Sequence, residues 1–383
     1  MGAAEKEKGM EYRTLDKLGI KTSLLGFGCM RFPTTADGRI DEARAQQMLD
    51  EAYAAGINYF DTAFPYHNGE SEPFVGKAMK KYPRDSFYFA TKLPCWDVKV
   101  REDATRIFNL QLEHLQSDYV DFYLLHALNK ERFHEMCDLG VVEDMVELKK
   151  QGKIKYLGFS FHDDYEAFEE ILTYRDWDFC QIQYNYMDTN EQAGDRGYAL
   201  CEKRNVPIVI MEPVKGGALA SYAPEVEEMF KTVRPDKSIA SWALRWVAGK
   251  PQIKVVLSGM STEEQVKDNL ATFGNFEPLS EEELATVDKV VKEVNSRIKN
   301  GCTACRYCMP CPFGVNIPKN FAIWNTYGMY NNAGEAKNRY FNQMKEEERA
   351  SQCQSCGACE AVCPQKLPIR EHLAQIAELM GKL

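Results

Sequence analysis

Short apolar runs alternate with amphipathic segments between residues 24 and 271. Eight of these runs are rich in β-branched and aromatic residues: 24–29, 58–62, 87–92, 120–127, 154–160, 179–185, 207–211 and 253–259. Most of them are almost continuously apolar, which is typical of parallel strands that are covered on both faces. The runs therefore predict a parallel sheet.

Helical periodicity fills the intervals between the runs. Apolar residues in 41–56 recur at spacings of three and four, with Asp41 as the expected N-cap and Gly56 as the expected end. Similar patterns predict helices over 71–81, 101–116, 141–151, 163–173, 193–204, 237–248 and 262–271. Eight βα units in about 250 residues predict a (β/α)8 TIM barrel of class α/β. Alternation alone also allows a doubly wound sheet.

The βα pattern ends after residue 271. Ser280 and Glu283 form a capping box that predicts a helix to about residue 297. The cysteine distribution changes at the same place, so we expect two domains, a barrel over 10–295 and a smaller, mainly helical domain over 296–383.

Composition restricts the class of protein. Net charge is −10, which disfavours a broad nucleic-acid-binding surface. No run reaches 18 apolar residues, so no membrane span is predicted. The N-terminus lacks the apolar core of a signal peptide. With 13 cysteines in a long chain of this kind, we expect reduced thiols, metal ligation and a cytoplasmic location rather than a disulfide framework.

Eight of the cysteines form two tight runs: Cys302, Cys305, Cys308 and Cys311, then Cys353, Cys356, Cys359 and Cys363. The second run has the spacing of bacterial ferredoxins, in which the fourth cysteine of a run ligates the other cluster. One predicted 4Fe–4S cluster is therefore held by Cys302, Cys305, Cys308 and Cys363. The second is held by Cys353, Cys356, Cys359 and Cys311.

Two features of these runs depart from the ferredoxin pattern. The last gap of the first run has two residues instead of three, and 41 residues, expected to be helical, separate the runs. Two structural zinc sites are the alternative, because C-x2-C pairs also bind zinc.

Polar residues follow three consecutive predicted strands, where barrel active sites lie. The segment 56–66 (GINYFDTAFPY), the residues Gly69 to Glu72, and the strand endings Ala-Thr-Lys92 and Tyr-Leu-Leu-His126 resemble the aldo/keto reductase family. The resemblance covers residues 12–271. With the cysteine runs included, the chain resembles the subgroup that carries a C-terminal ferredoxin-like 4Fe–4S domain.

The resemblance implies a catalytic tetrad and a reaction. Asp61, Tyr66, Lys92 and His126 match the tetrad, and the reaction would be NAD(P)H-dependent reduction of an aldehyde or ketone. Tyr66 would donate the proton; a phenol has an unperturbed pKa near 10, which Lys92 would lower. Asp61 would hold Lys92, and His126 would orient the carbonyl. Each residue alone also has an ordinary structural explanation, as a helix cap, a half-buried ring or a core histidine.

The resemblance also implies where the dinucleotide lies, since no Rossmann glycine fingerprint is present. Its expected contacts are Gly28, Met30, Arg31, Asp61, Ser160, Gln181, Met211, Pro213, Val214, Lys215, Gly217, Ser258, Gly259, Ser261, Gln265, Asp268 and Asn269. Gln265 stands where many members have an arginine for the 2′-phosphate, and it could simply cap its helix. NADP is favoured over NAD, with the choice left open.

Three functions are consistent with these features. The first is a hydride-transferring carbonyl reductase whose clusters shape the pocket or sense redox state. The second is an electron-transfer enzyme in which the clusters pass single electrons between a redox partner protein and a substrate. The third is a nicotinamide-binding redox sensor. No flavin motif is visible, although a flavin would be the usual device between hydride and cluster. The expected substrate is a small carbonyl or alcohol compound.

Overall fold

The computed structural model describes residues 9–383, and its centre is a closed barrel of eight parallel strands. Two short strands, β1 (Tyr12–Leu15) and β2 (Ile20–Ser23), precede the barrel and pair as an antiparallel hairpin. The barrel strands are β3 (Leu25–Gly28), β4 (Tyr59–Asp61), β5 (Tyr88–Leu93), β6 (Val120–Leu128), β7 (Ile154–Phe161), β8 (Phe179–Gln183), β9 (Ile208–Met211) and β10 (Ile253–Gly259). β3 to β10 follow one another around the barrel, and β10 pairs with β3. Closure of the sheet between β10 and β3 confirms the predicted (β/α)8 barrel and excludes the doubly wound sheet.

Helices cover the outside of the barrel and build the C-terminal region. They are α1 (Glu42–Ala54), α2 (Ser71–Met79), α3 (Arg101–Leu115), α4 (Lys130–Asp138), α5 (Val141–Lys150), α6 (Tyr165–Tyr174), α7 (Gly194–Lys203), α8 (Pro224–Val233), α9 (Ile239–Ala248), α10 (Glu263–Gly274), α11 (Glu281–Ser296), α12 (Ile317–Tyr330), α13 (Ala333–Lys337), α14 (Ala358–Ala361) and α15 (Ile369–Lys382). Every predicted barrel helix is present within a few residues of its expected bounds. The sequence did not predict α4, α8 or the β1–β2 hairpin.

The barrel interior explains why its strands read as continuous apolar runs. Large rings from different strands, among them Tyr59, Phe122 and Phe179, fill the inside and are fully buried. Leu15 of the hairpin belongs to the same cluster, so β1 and β2 cover the N-terminal end of the barrel. A second layer of apolar side chains packs between the strands and the outer helices. The opposite, C-terminal end is left for the polar strand-end residues.

The chain divides into two compact units. The barrel unit runs up to Gly216 and includes Ala240–Ser280. The C-terminal unit consists of Gly217–Ile239 and Glu281–Leu383, and has its own buried core around Phe321, Trp324 and Leu373 on α12 and α15. The boundary expected between residues 295 and 296 stays a prediction; the structure places α11 with the C-terminal unit. None of the described helices is long and apolar enough to cross a membrane.

Candidate active site

The four tetrad residues meet at the C-terminal end of the barrel. Asp61 is the last residue of β4, Lys92 lies near the end of β5, and His126 lies in the last part of β6. Tyr66 begins a short 3-10 turn directly after β4. Its ring lies edge-on to the His126 ring, with 6.2 Å between the centroids. Residues predicted from three separate strands are therefore in one place.

Lys92 connects this group. Its ammonium nitrogen donates to Asp61 Oδ1 at 2.7 Å and to the Thr62 carbonyl at 2.7 Å. The ammonium also lies over the Tyr66 ring, 5.1 Å from its centroid. Lys92 and Asp61 are 1% and 2% exposed, so the ion pair is shielded from water. An ammonium has three N–H donors, and two of them are used by Asp61 and Thr62.

Burial and charge act against each other on these groups. Burial raises the pKa of Asp61, while Lys92 lowers it; the net direction is upward. Burial by itself lowers the pKa of Lys92, but Asp61 and Tyr66 together raise it above its usual value. Burial also raises the pKa of Tyr66, and the charge of Lys92 only partly offsets this. The charge of Lys92 therefore acts on the Tyr66 pKa in the predicted, downward direction, but the loss of hydration is the larger effect in the protein alone.

His126 is kept neutral. Burial lowers its pKa well below the usual value, and the positive charges of Lys92 and Arg132 act in the same direction. Its Nδ1 atom is buried and has no partner among the described residues. A neutral imidazole does not act as a cationic acid and so leaves proton donation to Tyr66. It can still donate a hydrogen bond to a carbonyl oxygen and hold that oxygen in place.

A buried polar network behind the site was not predicted. The Glu72 carboxylate on α2 accepts hydrogen bonds from Thr91 Oγ1 at 2.5 Å and from Gln111 Nε2 at 2.6 Å, and it contacts His114 Nδ1 at 3.1 Å. Gln111 Nε2 also donates to the Lys92 backbone carbonyl at 3.0 Å. The network therefore fixes the end of β5 from the outside of the barrel. Glu72 was visible in the motif, but its partners come from β5 and α3.

Two expected cofactor contacts lie side by side on neighbouring strands. Ser160 of β7 pairs in register with Gln181 of β8, and both are buried. Ser160 Oγ accepts a hydrogen bond from the Ala127 backbone N–H at 2.7 Å. Gln181 Oε1 is buried without a partner among the described residues. An unsatisfied buried acceptor fits a donor such as the amide of a nicotinamide carboxamide.

A second group lies where β3 meets β10. Gly28 is in register with Gly259, and a Cβ atom at Gly28 would meet the Ser258 carbonyl at 3.2 Å. The hydroxyl of Ser261 donates to the Arg31 carbonyl at 2.7 Å, and Met30 beside it is 50% exposed. These contacts hold the segment after β3 against the end of β10 at the barrel mouth.

Helix α10 contacts the end of β10 through several polar side chains. Asn269 Nδ2 donates to Ser258 Oγ at 2.9 Å. Gln265 Oε1 accepts from the Ser261 N–H at 2.7 Å, while Thr262 accepts from the Gln265 N–H. Thr262 is therefore the N-cap of α10, and the Gln265 side chain reaches back to the residue before it. Asp268 lies on the same helix, one turn from Thr272, whose hydroxyl donates to the Asp268 carbonyl at 3.0 Å.

In the segment after β9, the ammonium of Lys215 is already paired with a carboxylate and is not free to bind a phosphate. Lys215 Nζ lies 2.6 Å from both carboxylate oxygens of Asp188. Met211 ends β9, Pro213 is buried, and Val214 packs partly against the barrel core. Gly217, with φ +99°, begins the C-terminal unit and has open space around it. Lys215 would have to exchange a carboxylate partner to bind a pyrophosphate.

The eight clustered cysteines surround two cavities in the C-terminal unit. One cavity is lined by Cys302, Cys305, Cys308 and Cys363. The other is lined by Cys311, Cys353, Cys356 and Cys359, and Cys308 also reaches it. Each cavity thus receives three cysteines of one run and the fourth cysteine of the other run. This is the crossed grouping that the ferredoxin spacing predicts.

The cysteine loops have the same backbone shape. Ala304 and Arg306 in the first loop, and Ser355 and Gly357 in the second, have positive φ. They occupy equivalent places, two and four residues after the first cysteine of each run. Such conformations curl the backbone into concavities that suit anionic groups, including iron–sulfur clusters.

The cysteines around each cavity suit a 4Fe–4S cluster, which takes one cysteine for each of its four iron atoms. Within residues 9–383, no three cysteine, histidine, aspartate or glutamate side chains are close enough together to hold a single metal ion.

Comparison with known proteins identifies the class. Residues 24–292 match the aldo/keto reductase family, and residues 301–367 match a 4Fe–4S dicluster domain. The chain therefore belongs to the aldo/keto reductase family and carries an iron–sulfur domain after the barrel. It is an oxidoreductase of that family.

Particular relatives cover most of the barrel. The chain is 26% identical over 305 residues to the NADH-specific methylglyoxal reductase of Escherichia coli, covering 67% of this chain and 90% of the relative. It is 26% identical over 310 residues to L-galactose dehydrogenase of Arabidopsis thaliana, covering 75% and 96%. The holo form of an aldo-keto reductase from Bacillus halodurans superposes with a TM-score of 0.62 at 28% identity, covering 73% and 96%.

Proposed function

We propose that the barrel reduces an aldehyde or ketone with NADPH or NADH, with Tyr66 as the proton donor. The observation that carries this proposal is the position of the Lys92 ammonium, which is paired with Asp61 and lies over the Tyr66 ring at the barrel mouth. The Lys92 side chain is buried. Burying such a charge is unfavourable unless it is paired.

The protein's own groups divide the work. The nicotinamide, when bound, supplies the hydride that reduces the carbonyl carbon. Tyr66 holds the proton that the carbonyl oxygen takes up, and the raised pKa keeps it protonated at neutral pH. Lys92 stabilises the phenolate left behind, and Asp61 keeps Lys92 charged and in place. Neutral His126 orients the oxygen. In the reverse direction the same phenolate accepts the alcohol proton.

The proposed nucleotide contacts are the residues of the two groups beside the barrel mouth. Gln181 would accept from the carboxamide, and the Ser258–Asn269 pair would hold the adenosine end. Position 265 has a glutamine in place of an arginine that could bind a 2′-phosphate, and its side-chain oxygen accepts from the Ser261 N–H. The choice between NADP and NAD is measured by the ratio of kcat/KM for the two nucleotides.

Replacement of Tyr66 tests the proposal. Tyr66→Phe removes the donor and keeps the ring, so kcat for carbonyl reduction should fall by about 10²–10⁴-fold. Nucleotide affinity, measured by fluorescence titration, should change little. Phe27→Leu, deep in the barrel core, serves as a control for general loss of packing. Retention of wild-type turnover by Tyr66→Phe would refute the assignment of the proton donor.

For the C-terminal domain we propose two 4Fe–4S clusters with the crossed ligands described above. A second function follows from their surroundings, which is single-electron exchange with a redox partner protein. The observation favouring it is exposure: Cys305 and Cys356 are exposed, and Tyr307, Phe313 and Val362 beside the cysteines are 69%, 47% and 51% exposed. Exposed apolar groups of this kind mark interaction surfaces.

A further inference from the structure

Arg132 lies beside the candidate active site without a carboxylate partner. It is the third residue of α4, directly after the β6 strand that carries His126. Its guanidinium lies over the Trp96 ring, 5.6 Å from the centroid, and the Trp96 ring is 4.9 Å from the His126 ring. One indole therefore separates this cation from the tetrad.

Most donors of this guanidinium are free. Arg132 Nη1 donates to the Ala127 carbonyl, and no other side-chain hydrogen bond of Arg132 is present within the described residues 9–383. A guanidinium has five N–H donors, so four remain available. The arginines Arg44 and Arg101, in contrast, form two-pronged pairs with Glu263 and Asp144.

The position of Arg132 is unfavourable for the helix. The first turn of a helix favours acidic side chains because the helix dipole is positive there. Lys130 and Arg132 both lie in the first turn of α4, and only Glu131 is acidic. Lys130 is neutralised by Glu170 at 3.2 Å, but Arg132 has no such partner. An unneutralised cation in this place points to a ligand that supplies the negative charge.

We propose that Arg132 binds an anionic group of the substrate, so that the preferred carbonyl compound carries a carboxylate or phosphate away from its reacting carbon. The inference rests on the proposed reductase function and adds the substrate class. The planar fork of an arginine matches two oxygens of either anion. Trp96 forms the wall along which the carbon chain between the two groups would lie.

Matched substrates test this inference. The wild-type protein, with both clusters and NADPH or NADH, should reduce 4-oxobutanoate with a higher kcat/KM than butanal. Arg132→Met keeps the stem over Trp96 and removes the charge. A hydrogen-bonded charge contributes about 1.5–3 kcal/mol, so kcat/KM for 4-oxobutanoate should fall about 10–150-fold, mainly through KM. The value for butanal should stay within about threefold, the scatter expected of a side chain with no specific partner.

Two further variants sharpen the result. Arg132→Lys keeps the charge without the fork and should recover part of the preference for the anion. Lys130→Met removes a charge of the same sign from the same turn of α4, and it should leave the preference unchanged. Glyceraldehyde 3-phosphate compared with glyceraldehyde decides whether phosphate is preferred to carboxylate.

Binding of succinate to the NADP⁺-loaded protein, followed by calorimetry, separates this inference from the proposed function. Succinate binding that is lost in Arg132→Met supports the anion site even if no carbonyl compound is reduced. Equal loss of activity towards 4-oxobutanoate and butanal would overturn it, because Arg132 would then act through Ala127 and His126. Reduction of both compounds without preference by the wild type would overturn it as well.

Discussion

At the residue scale, Lys92 controls the stability of the Tyr66 phenolate in the proposed reaction. Its ammonium is paired with Asp61 and lies over the Tyr66 ring. It acts on Tyr66 by charge. Without it, burial alone would raise the pKa of Tyr66 further, and the phenolate would be less stable. Lys92 should therefore matter more in the direction that begins from the phenolate.

Lys92→Met tests this asymmetry. Oxidation of an alcohol requires the phenolate, so activity rises as pH increases through the pKa of Tyr66. Reduction requires the phenol and is lost as pH increases through the same pKa. In Lys92→Met the rise in oxidation and the loss of reduction should both move to higher pH, because the pKa of Tyr66 increases. The kcat for oxidation should fall more than the kcat for reduction. Initial rates in both directions from pH 6 to pH 11 measure the shift.

Asp61→Asn and a stability measurement provide the controls. Asp61→Asn weakens the contact that holds Lys92 but keeps a hydrogen-bonding side chain. Its pH–rate profile should therefore lie between those of the wild type and Lys92→Met. Removing one partner of a buried ion pair costs about 3–5 kcal/mol, so the melting temperature of each variant is recorded first. An unmoved pH profile in a folded Lys92→Met protein would contradict the role given to Lys92.

At the scale of elements, strands were easier to predict than the short segments between them. The eight barrel strands are buried on both faces, and this burial appears directly as apolar runs. β1 and β2 have four residues each and a mixed pattern, so they give little periodic signal. The helix α4 buries only Phe133 and Met136, too few to reveal a helical face. Pro224 at the start of α8 was a usable signal that the pattern analysis missed.

Site residues followed the same division. The tetrad lies at strand ends, so motif and topology together predict its convergence. The partners of Glu72 come from α3 and β5, and that packing has no local signature in the sequence. Arg132 is similar: only the three-dimensional structure shows that it lies over Trp96 and lacks a carboxylate.

The two cysteine loops are predicted to share their ligands, with each cluster taking three cysteines from one run and one from the other. In the crossed arrangement Cys302 and Cys363 belong to one cluster, so the double variant Cys302→Ser/Cys363→Ser should keep about four of about eight iron atoms. Cys302→Ser/Cys311→Ser should damage both clusters. Iron and sulfide analysis of anaerobically purified protein, with EPR of the reduced forms, measures the difference. If each run held its own cluster, the two variants would exchange these results.

At the scale of the whole molecule, we propose two kinds of electron chemistry in one chain. The proposed barrel reaction moves a hydride, which carries two electrons, whereas a 4Fe–4S cluster accepts one electron at a time. The two units have separate buried cores. The central claim is that the barrel transfers hydride directly to the carbonyl carbon, without passing electrons through the clusters.

Isotope transfer tests this claim most directly. NADPH or NADH deuterated at C4 of the nicotinamide is incubated with 4-oxobutanoate and the anaerobically purified protein, and the alcohol product is examined by mass spectrometry and NMR. Direct transfer predicts one deuterium on the carbinol carbon, in a single configuration, with Tyr66→Phe forming little product. An alcohol product without deuterium would contradict the account, because the electrons would then have reached the substrate separately from the hydrogen.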